Sequence, residues 1–414
     1  MQVPFFRPQL GEAEIAEVVD TLRSGWLTTG PRVARFEAAF AEAVEARHAL
    51  AVNSCTAAMH LALEALGLGA DDAVLVPTMT FAATAEVVRY QGALPVLIDC
   101  DPISLNLDWD DAARKLAALE AGTLKAAGGK RYRAVGVLPV HVGGAVVDYA
   151  RLEAFAQTHG LWSVEDAAHA FPAAWRGAPE EPWRRCGAGP SAATCFSFYA
   201  NKTITTGEGG LVTTADPALA ERMRHMALHG LSTDAWGRYT SKGSWDYRIL
   251  APGYKYNLTD IAAAIGLHQL ARADALRQAR AEVASGYREA LADVEEIELP
   301  RDPENRIHSW HLFPIKLRLD RLTLSRDAFL EALRERGIGT SVHWRPLHLH
   351  PYYEQSFGWR PADSPQATAV WERLISLPIF PTMRANERRA VVGAVRDIVA
   401  RHRLFPARRV ELAG

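Results

Sequence analysis

The sequence predicts an α/β fold, with a mostly parallel central sheet carrying helices on both faces and a smaller C-terminal α+β domain. Three observations lead there. Short runs rich in Val and Leu alternate with stretches of helical spacing, as the strands and crossover helices of a parallel sheet must. Acidic, basic and small polar residues recur just past the ends of those runs, where open α/β sheets place their ligands. A length of 414 residues also exceeds one ordinary domain, which favours a large unit, 1–258, and a smaller one, 259–414.

Taken in order, residues 11–23 place Ile15, Val18, Val19 and Leu22 on one helical face. Gly25-Trp26-Leu27-Thr28-Thr29-Gly30-Pro31 breaks that spacing as a loop, and a second helix follows over 33–45. A third runs over 56–66, entered through Asn53-Ser54-Cys55. The runs at 73–77, 94–98, 134–140 and 161–164 read as buried strands, separated by helix-like stretches, notably 80–90 and 149–158. Strands at 195–199 and 210–214 extend the sheet, with room for one of them to run in reverse. The polar stretches 121–133 and 179–191 read as surface loops. Residues 229–256 are crowded with Trp, Tyr, Ser and Gly and lack clean periodicity; a structureless segment that long implies a function or a crossing to a partner. A helix over 259–292 then leads into the second unit, read as strand 311–317, helix 325–336, strand 338–343 and a final helix 386–401.

Bulk properties exclude several classes. The formal net charge of -2 leaves no basic excess for a nucleic-acid partner. With 49% hydrophobic and 23% charged residues, the composition is that of a soluble globular enzyme. Cys55, Cys100, Cys186 and Cys195 form no Cys-x-x-Cys pair and no His/Cys cluster of zinc spacing, so no metal is expected. The start, Met1-Gln2-Val3-Pro4-Phe5-Phe6-Arg7-Pro8, lacks a basic region followed by a long apolar stretch, and no window has the length of a membrane span. The expectation is a cytoplasmic, reduced protein without membrane contact.

The chemistry concentrates at Lys202. It ends the run Cys195-Phe196-Ser197-Phe198-Tyr199-Ala200-Asn201-Lys202 and precedes Thr203-Ile204-Thr205-Thr206-Gly207-Glu208-Gly209-Gly210. A lysine between a buried strand and a Gly-rich turn is held firmly yet aimed at open space. Burial there would lower its pKa, and a neutral amine can form a Schiff base. A lone lysine is ordinarily a solvated surface charge; the upstream strand reverses that reading. Gly160-Leu161-Trp162-Ser163-Val164-Glu165-Asp166-Ala167-Ala168-His169-Ala170 ends in a carboxylate at a strand terminus. Pyridoxal-phosphate enzymes need such a group to keep the pyridinium nitrogen of the cofactor protonated, although Asp166 alone would serve equally as an N-cap. His169 is placed to hydrogen-bond that carboxylate or to stack near the ring.

Weaker signals gather around these two. Asn53-Ser54-Cys55-Thr56-Ala57-Ala58 leads small residues into a helix, whose N-terminal N–H groups can bind phosphate; taken alone it reads as a simple N-cap. Ser197 shares a strand face with Tyr199 and offers a second phosphate ligand, and Asn257 a third. Phe81 follows a strand end, where an aromatic either stacks on a ring or joins the core. Gly207-Glu208-Gly209-Gly210 and Val142-Gly143-Gly144 lack the Gly-x-Gly-x-x-Gly spacing of a dinucleotide site.

Together these motifs resemble the DegT/StrS family of nucleotide-sugar aminotransferases, pyridoxal 5′-phosphate enzymes of fold type I. The resemblance also takes in Ser24 to Pro31, Gly253-Tyr254-Lys255-Tyr256-Asn257-Leu258-Thr259-Asp260 and Leu377-Pro378-Ile379-Phe380-Pro381. It implies that Lys202 carries the cofactor as a Schiff base and shuttles the proton, and that Asp166 holds the pyridinium nitrogen with His169 nearby. Thr56 and Ala57 would offer backbone N–H groups to the phosphate, Ser197 its hydroxyl, and Phe81 a stacking ring. Asn257 would reach the phosphate of a neighbouring protomer, which implies a homodimer with shared sites. The implied donor is L-glutamate, released as 2-oxoglutarate, and the acceptor a nucleotide-linked keto-sugar.

Trp310-His311-Leu312-Phe313 and Arg336-Gly337-Ile338-Gly339-Thr340 are similar to a subgroup that aminates UDP-4-keto-pentose in lipid A modification with 4-amino-4-deoxy-arabinose. Aminotransferases of 4-keto-6-deoxyhexoses look almost the same, so amination at C4 is the expectation. The departure is Val342-His343-Trp344-Arg345-Pro346-Leu347-His348, where Trp344 and Arg345 would bear on the sugar pocket. Relatives that dehydrate sugars carry histidine in place of the lysine, and non-catalytic sensors of this type usually carry an added DNA-binding domain.

Overall fold

The computed structural model describes residues 1–232 and 248–404. Of the irregular segment expected over 229–256, residues 233–247 lie outside the described residues, as do 405–414. In chain order the first part contains α1 (Glu12–Ser24), α2 (Pro31–Ala43), β1 (His48–Val52), α3 (Cys55–Ala65), β2 (Asp72–Pro77), α4 (Ala83–Tyr90), β3 (Leu94–Ile98), α5 (Trp109–Glu120), β4 (Arg133–Val137), α6 (Tyr149–His159) and β5 (Trp162–Asp166). Next come β6 (Ala174–Trp175), β7 (Arg184–Arg185), β8 (Ala193–Ser197), β9 (Gly210–Thr214), α7 (Pro217–Met226), α8 (Asp260–Ala271) and α9 (Ala273–Ala290). The remainder of the chain adds β10 (Ile297–Glu298), β11 (Arg306–Ile307), β12 (Phe313–Leu317), α10 (Arg326–Glu335), α11 (Pro351–Phe357), α12 (Pro365–Trp371), β13 (Leu374–Leu377) and α13 (Ala385–His402).

Seven strands form the central sheet in the order β1-β9-β8-β5-β4-β2-β3. Only β9 runs against its neighbours, pairing antiparallel with both β1 and β8. Crossover helices cover both faces, so the strands read as near-continuous apolar runs; β2 and β3 are buried along their whole length. Alternation still decides the site on β8. Phe196 and Phe198 point one way, fully buried, and meet Phe40 and Phe36 of α2 at ring separations of 5.0 and 5.3 Å. Ser197 and Tyr199 therefore point the other way. Truncating Phe198 to Ala would cost about 3–5 kcal/mol.

Several expectations need correction. The helix expected over 259–292 is two helices, broken at Arg272, whose guanidinium reaches back to Glu14 and the Gln9 carbonyl. α8 packs on α1 and α2, while α9 contributes Val283, Ala284 and Tyr287 to the core of the second unit. Residues 338–343 form no ladder. They bridge the N-terminal segment at Val3 to β13 at Ser376, because Val3 and Ser376 each take only one partner from this stretch. Val3 accordingly lies in the second core, far in sequence from its neighbours there. The strand β1 and the helix α5 were not among the expected elements.

Candidate active site

A cavity of about 380 Å³ opens at the ends of β2, β5 and β8 and at the start of α3. Thr56, Phe81, Asp166, His169, Ser197 and Lys202 all line it. Each reaches it by local chemistry. Asp166 is the last residue of β5, paired with Cys195 of β8. Its carboxylate is fixed by the Thr84 hydroxyl, which donates to Oδ2 at 2.7 Å, and by the Ala168 N–H, which donates to Oδ1 at 3.1 Å. His169 does not bond this carboxylate. Its Nδ1 accepts the Gly143 N–H at 3.3 Å, which leaves Nε2 to carry the proton, and its ring stacks on Trp344 at 5.1 Å.

Lys202 lies in the turn after β8, its N–H donating to the Tyr199 carbonyl at 2.9 Å. The half-buried side chain lines the cavity, with Nζ 3.5 Å from His311 Nε2. Burial, aided by the charge of Arg280, pushes the amine down to about 8, against the pull of Asp166. Three histidines surround it without adding charge. Burial and the neighbouring Lys202 push His169 and His311 well below the usual range, and bring His343 to about 4. Burial likewise raises the Cys55 thiol, so that it stays protonated. Among the described residues, Lys202 is the only lysine or arginine lining the cavity.

The start of α3 offers an anion seat. Ser54 is the N-cap, and its hydroxyl accepts the Ala57 N–H at 3.1 Å. The hydroxyl thus occupies the N–H that the resemblance implies Ala57 offers to the phosphate. The Cys55 and Thr56 N–H groups lie in the first turn, which has no intrahelical acceptors for them, and Ser197 lines the same cavity. Phe81 is 63% exposed at the mouth. Asn257 does not line this cavity. It bridges Val52 at the end of β1 and donates from Nδ2 to Thr29 Oγ1 at 2.9 Å, while Lys255 Nζ donates to its Oδ1 at 2.7 Å. Trp344 lines the cavity, whereas Arg345 turns away to the Leu349 carbonyl.

Behind the sheet, His141, Glu165 and Cys186 bring possible ligand atoms within 4.8 Å of one another, a cluster that sequence spacing could not reveal. Its hydrogen bonds account for it. The Val147 N–H donates to His141 Nδ1 at 3.1 Å, so the proton sits on Nε2 and goes to Glu165 Oε2 at 2.8 Å. The Tyr149 and Thr194 hydroxyls donate to the same carboxylate at 2.6 and 3.2 Å. Burial opposes the charge on Glu165, yet the donors from His141 and Tyr149 hold its pKa below the ordinary carboxylate value. Thr84, His311, His343 and Arg280 were not singled out as site residues from the sequence; His311 and His343 lay in stretches compared with the sugar-amination subgroup, Thr84 and Arg280 only within expected helices.

A cavity-lining amine, a fixed carboxylate, free helix-terminal N–H groups and a hydroxyl suit a ligand with a carbonyl carbon, a basic ring nitrogen and a phosphate. That is the donor set for pyridoxal phosphate, and it defines the class as an enzyme of that cofactor on a fold-type-I sheet. The chain belongs to the DegT/DnrJ/EryC1/StrS aminotransferase family, which it matches over residues 8–396; it is a pyridoxal-phosphate-dependent transaminase. It is 43% identical over 398 residues to the spore coat polysaccharide biosynthesis protein SpsC of Bacillus subtilis, covering 96% of this chain and 97% of that one. Spr1654 of Streptococcus pneumoniae, solved in a PLP form, is 30% identical with a TM-score of 0.83 and covers 97% of this chain and 99% of its own; its PMP form is equally similar. The sugar aminotransferase CalS13 of Micromonospora echinospora is 29% identical with a TM-score of 0.80, covering 96% of this chain and 100% of that one.

Proposed function

We propose that the enzyme moves the amino group of L-glutamate to C4 of a keto-sugar carried on a nucleoside diphosphate, with UDP-4-keto-pentose and NDP-4-keto-6-deoxyhexose as the candidate acceptors. Sugar amination is the coarser part of that reading and matches the named sugar aminotransferases it resembles. The observation that carries it is Lys202 itself, an amine held near pKa 8 opposite Asp166, where a sugar dehydratase of this type would present histidine.

Bound pyridoxal phosphate supplies an electron sink that lets a Cα–H proton leave the amino donor. In this reading Asp166 holds the proton on the ring nitrogen, and Thr84 fixes the orientation of the carboxylate. The Cys55 and Thr56 N–H groups and the Ser197 hydroxyl hold the phosphate, and Phe81 covers the ring. Lys202 takes the Cα proton at Nζ and returns it during amination, an acid–base role that contributes about 10²–10⁴-fold. The neutral histidines add no positive charge beside it.

Among the described residues, the cavity offers one cation to two anionic substrates and an anionic cofactor. That imbalance supports a homodimer in which a second copy completes the site, with Asn257 reaching the phosphate bound by its neighbour. The assignment of 1–258 to cofactor binding and of 259–414 to a separate small domain belongs to the same proposal.

An absorption spectrum before and after L-glutamate tests the first half-reaction. The visible band of lysine-bound cofactor should give way to the near-ultraviolet band of pyridoxamine phosphate, and the right keto-sugar should restore it. A spectrum indifferent to glutamate, or a preparation that takes up no cofactor, refutes the reading.

A further inference from the structure

Arg280, on α9, is 3% exposed, and among the described residues burial is the one influence acting on its charge; it brings the guanidinium down to about 10. Burying a cation without a carboxylate partner costs several kcal/mol, roughly, and is rare without a purpose. Its hydrogen bonds all go to backbone carbonyls. Nη1 donates to Ile379 at 2.9 Å and to Trp310 and His311 at 3.4 Å, and Nη2 donates to Asn201 at 3.4 Å. Those carbonyls lie in three segments that meet at the guanidinium: the turn bearing Lys202, the stretch bearing His311, and the exit from β13. The groups facing Lys202 are Asp166, the Cys55 thiol, the histidines 169, 311 and 343, and Arg280. With thiol and imidazoles neutral, the charges on it reduce to two of opposite sign.

We propose that Arg280 is a positioning residue for Lys202: its guanidinium ties the lysine turn to the His311 segment and the β13 exit, and its buried positive charge, which has no carboxylate partner among the described residues, disfavours a second cation at the amine. The inference rests on Lys202 being the reactive amine, but not on the identity of the sugar.

The test is the rate of Lys202 acylation by acetic anhydride against pH in apoprotein, read by peptide mass spectrometry. The variants are Arg280→Gln, which keeps hydrogen-bond donors and loses the charge, and Arg280→Lys, which keeps the charge. Wild type should titrate near pH 8. Arg280→Gln should titrate about one unit higher, a roughly tenfold loss of neutral amine at pH 7, while Arg280→Lys should stay near wild type. A purely structural role would lower thermal stability in both variants without separating their midpoints. A Gln variant that titrates with wild type overturns the proposal. Should that variant not fold, a Lys variant displaced by a unit or more overturns it, and one that titrates with wild type upholds it. A wild type that binds no cofactor would defeat the aminotransferase reading, while the titration would still decide the role of Arg280.

Discussion

Gly210 opens β9 and closes against the entry of α3. A Cβ built there would lie 2.3 Å from the Ser54 carbonyl carbon, 2.4 Å from its oxygen and 2.5 Å from the Cys55 nitrogen. Ordinary contact begins at about 3.4 Å, so Gly210→Ala must open the gap by about 1.1 Å. β9 cannot yield, because ladders hold it on both sides, with Gly210 opposite Val52 and Ser197. The displacement falls on the first turn of α3, whose free N–H groups are proposed to hold the phosphate. Overpacking should lower stability by about 1–3 kcal/mol. Losing one charge-assisted hydrogen bond to the phosphate, worth about 1.5–3 kcal/mol, should weaken pyridoxal phosphate by tenfold or more, roughly. Titration of apoprotein by visible absorbance measures the affinity, and calorimetry the stability. Gly286→Ala, on α9 with nothing near its Cβ, is the control and should bind normally. An unchanged affinity and melting temperature in Gly210→Ala would refute this view of the seat.

Thr84→Val removes the hydroxyl from Asp166 and should weaken cofactor binding about threefold to tenfold, for roughly 1 kcal/mol of lost hydrogen bond, measured by the same titration. Lys202 has its amine depressed from 10.5 to about 8, so between those values the unfolded chain binds more protons there. Wild-type apoprotein should therefore gain stability relative to Lys202→Met as pH rises from 8 to 10.5, followed by paired thermal melts. Lys202→Ala should fold yet lose turnover by at least about 100-fold. Mixed with Asn257→Ala, it should recover part of the activity through hybrid dimers; no recovery with verified subunit exchange would count against a shared site.

Much of the site was legible because its two central residues sit in local patterns. A strand ending at Asp166 and a strand running into Lys202 are visible without neighbours, and Ser197 follows from alternation on β8. The supporting contacts were not legible, because they join residues far apart: Thr84 and Asp166 by 82 positions, Lys202 and His311 by 109, Asn201 and Arg280 by 79. The break at Arg272 was equally hidden, since Leu270-Ala271-Arg272-Ala273 contains no helix breaker and the interruption is set by contacts with the N-terminal segment. The Ala57 N–H could be judged only once the Ser54 rotamer was known.

Glu165 and Asp166 are neighbours in sequence but face opposite sides of β5, one caged by His141, Tyr149 and Thr194, the other lining the cavity. The two acids look interchangeable on paper and are not. Either position admits substitution with local consequences, because the sheet keeps the two surroundings apart. A single inserted or deleted residue upstream in the strand is different in kind: it would exchange the two carboxylates at once. A shorter acid would then sit in a cage cut for a longer one, and a longer acid would crowd the catalytic side. β5 itself should therefore tolerate no variation in length.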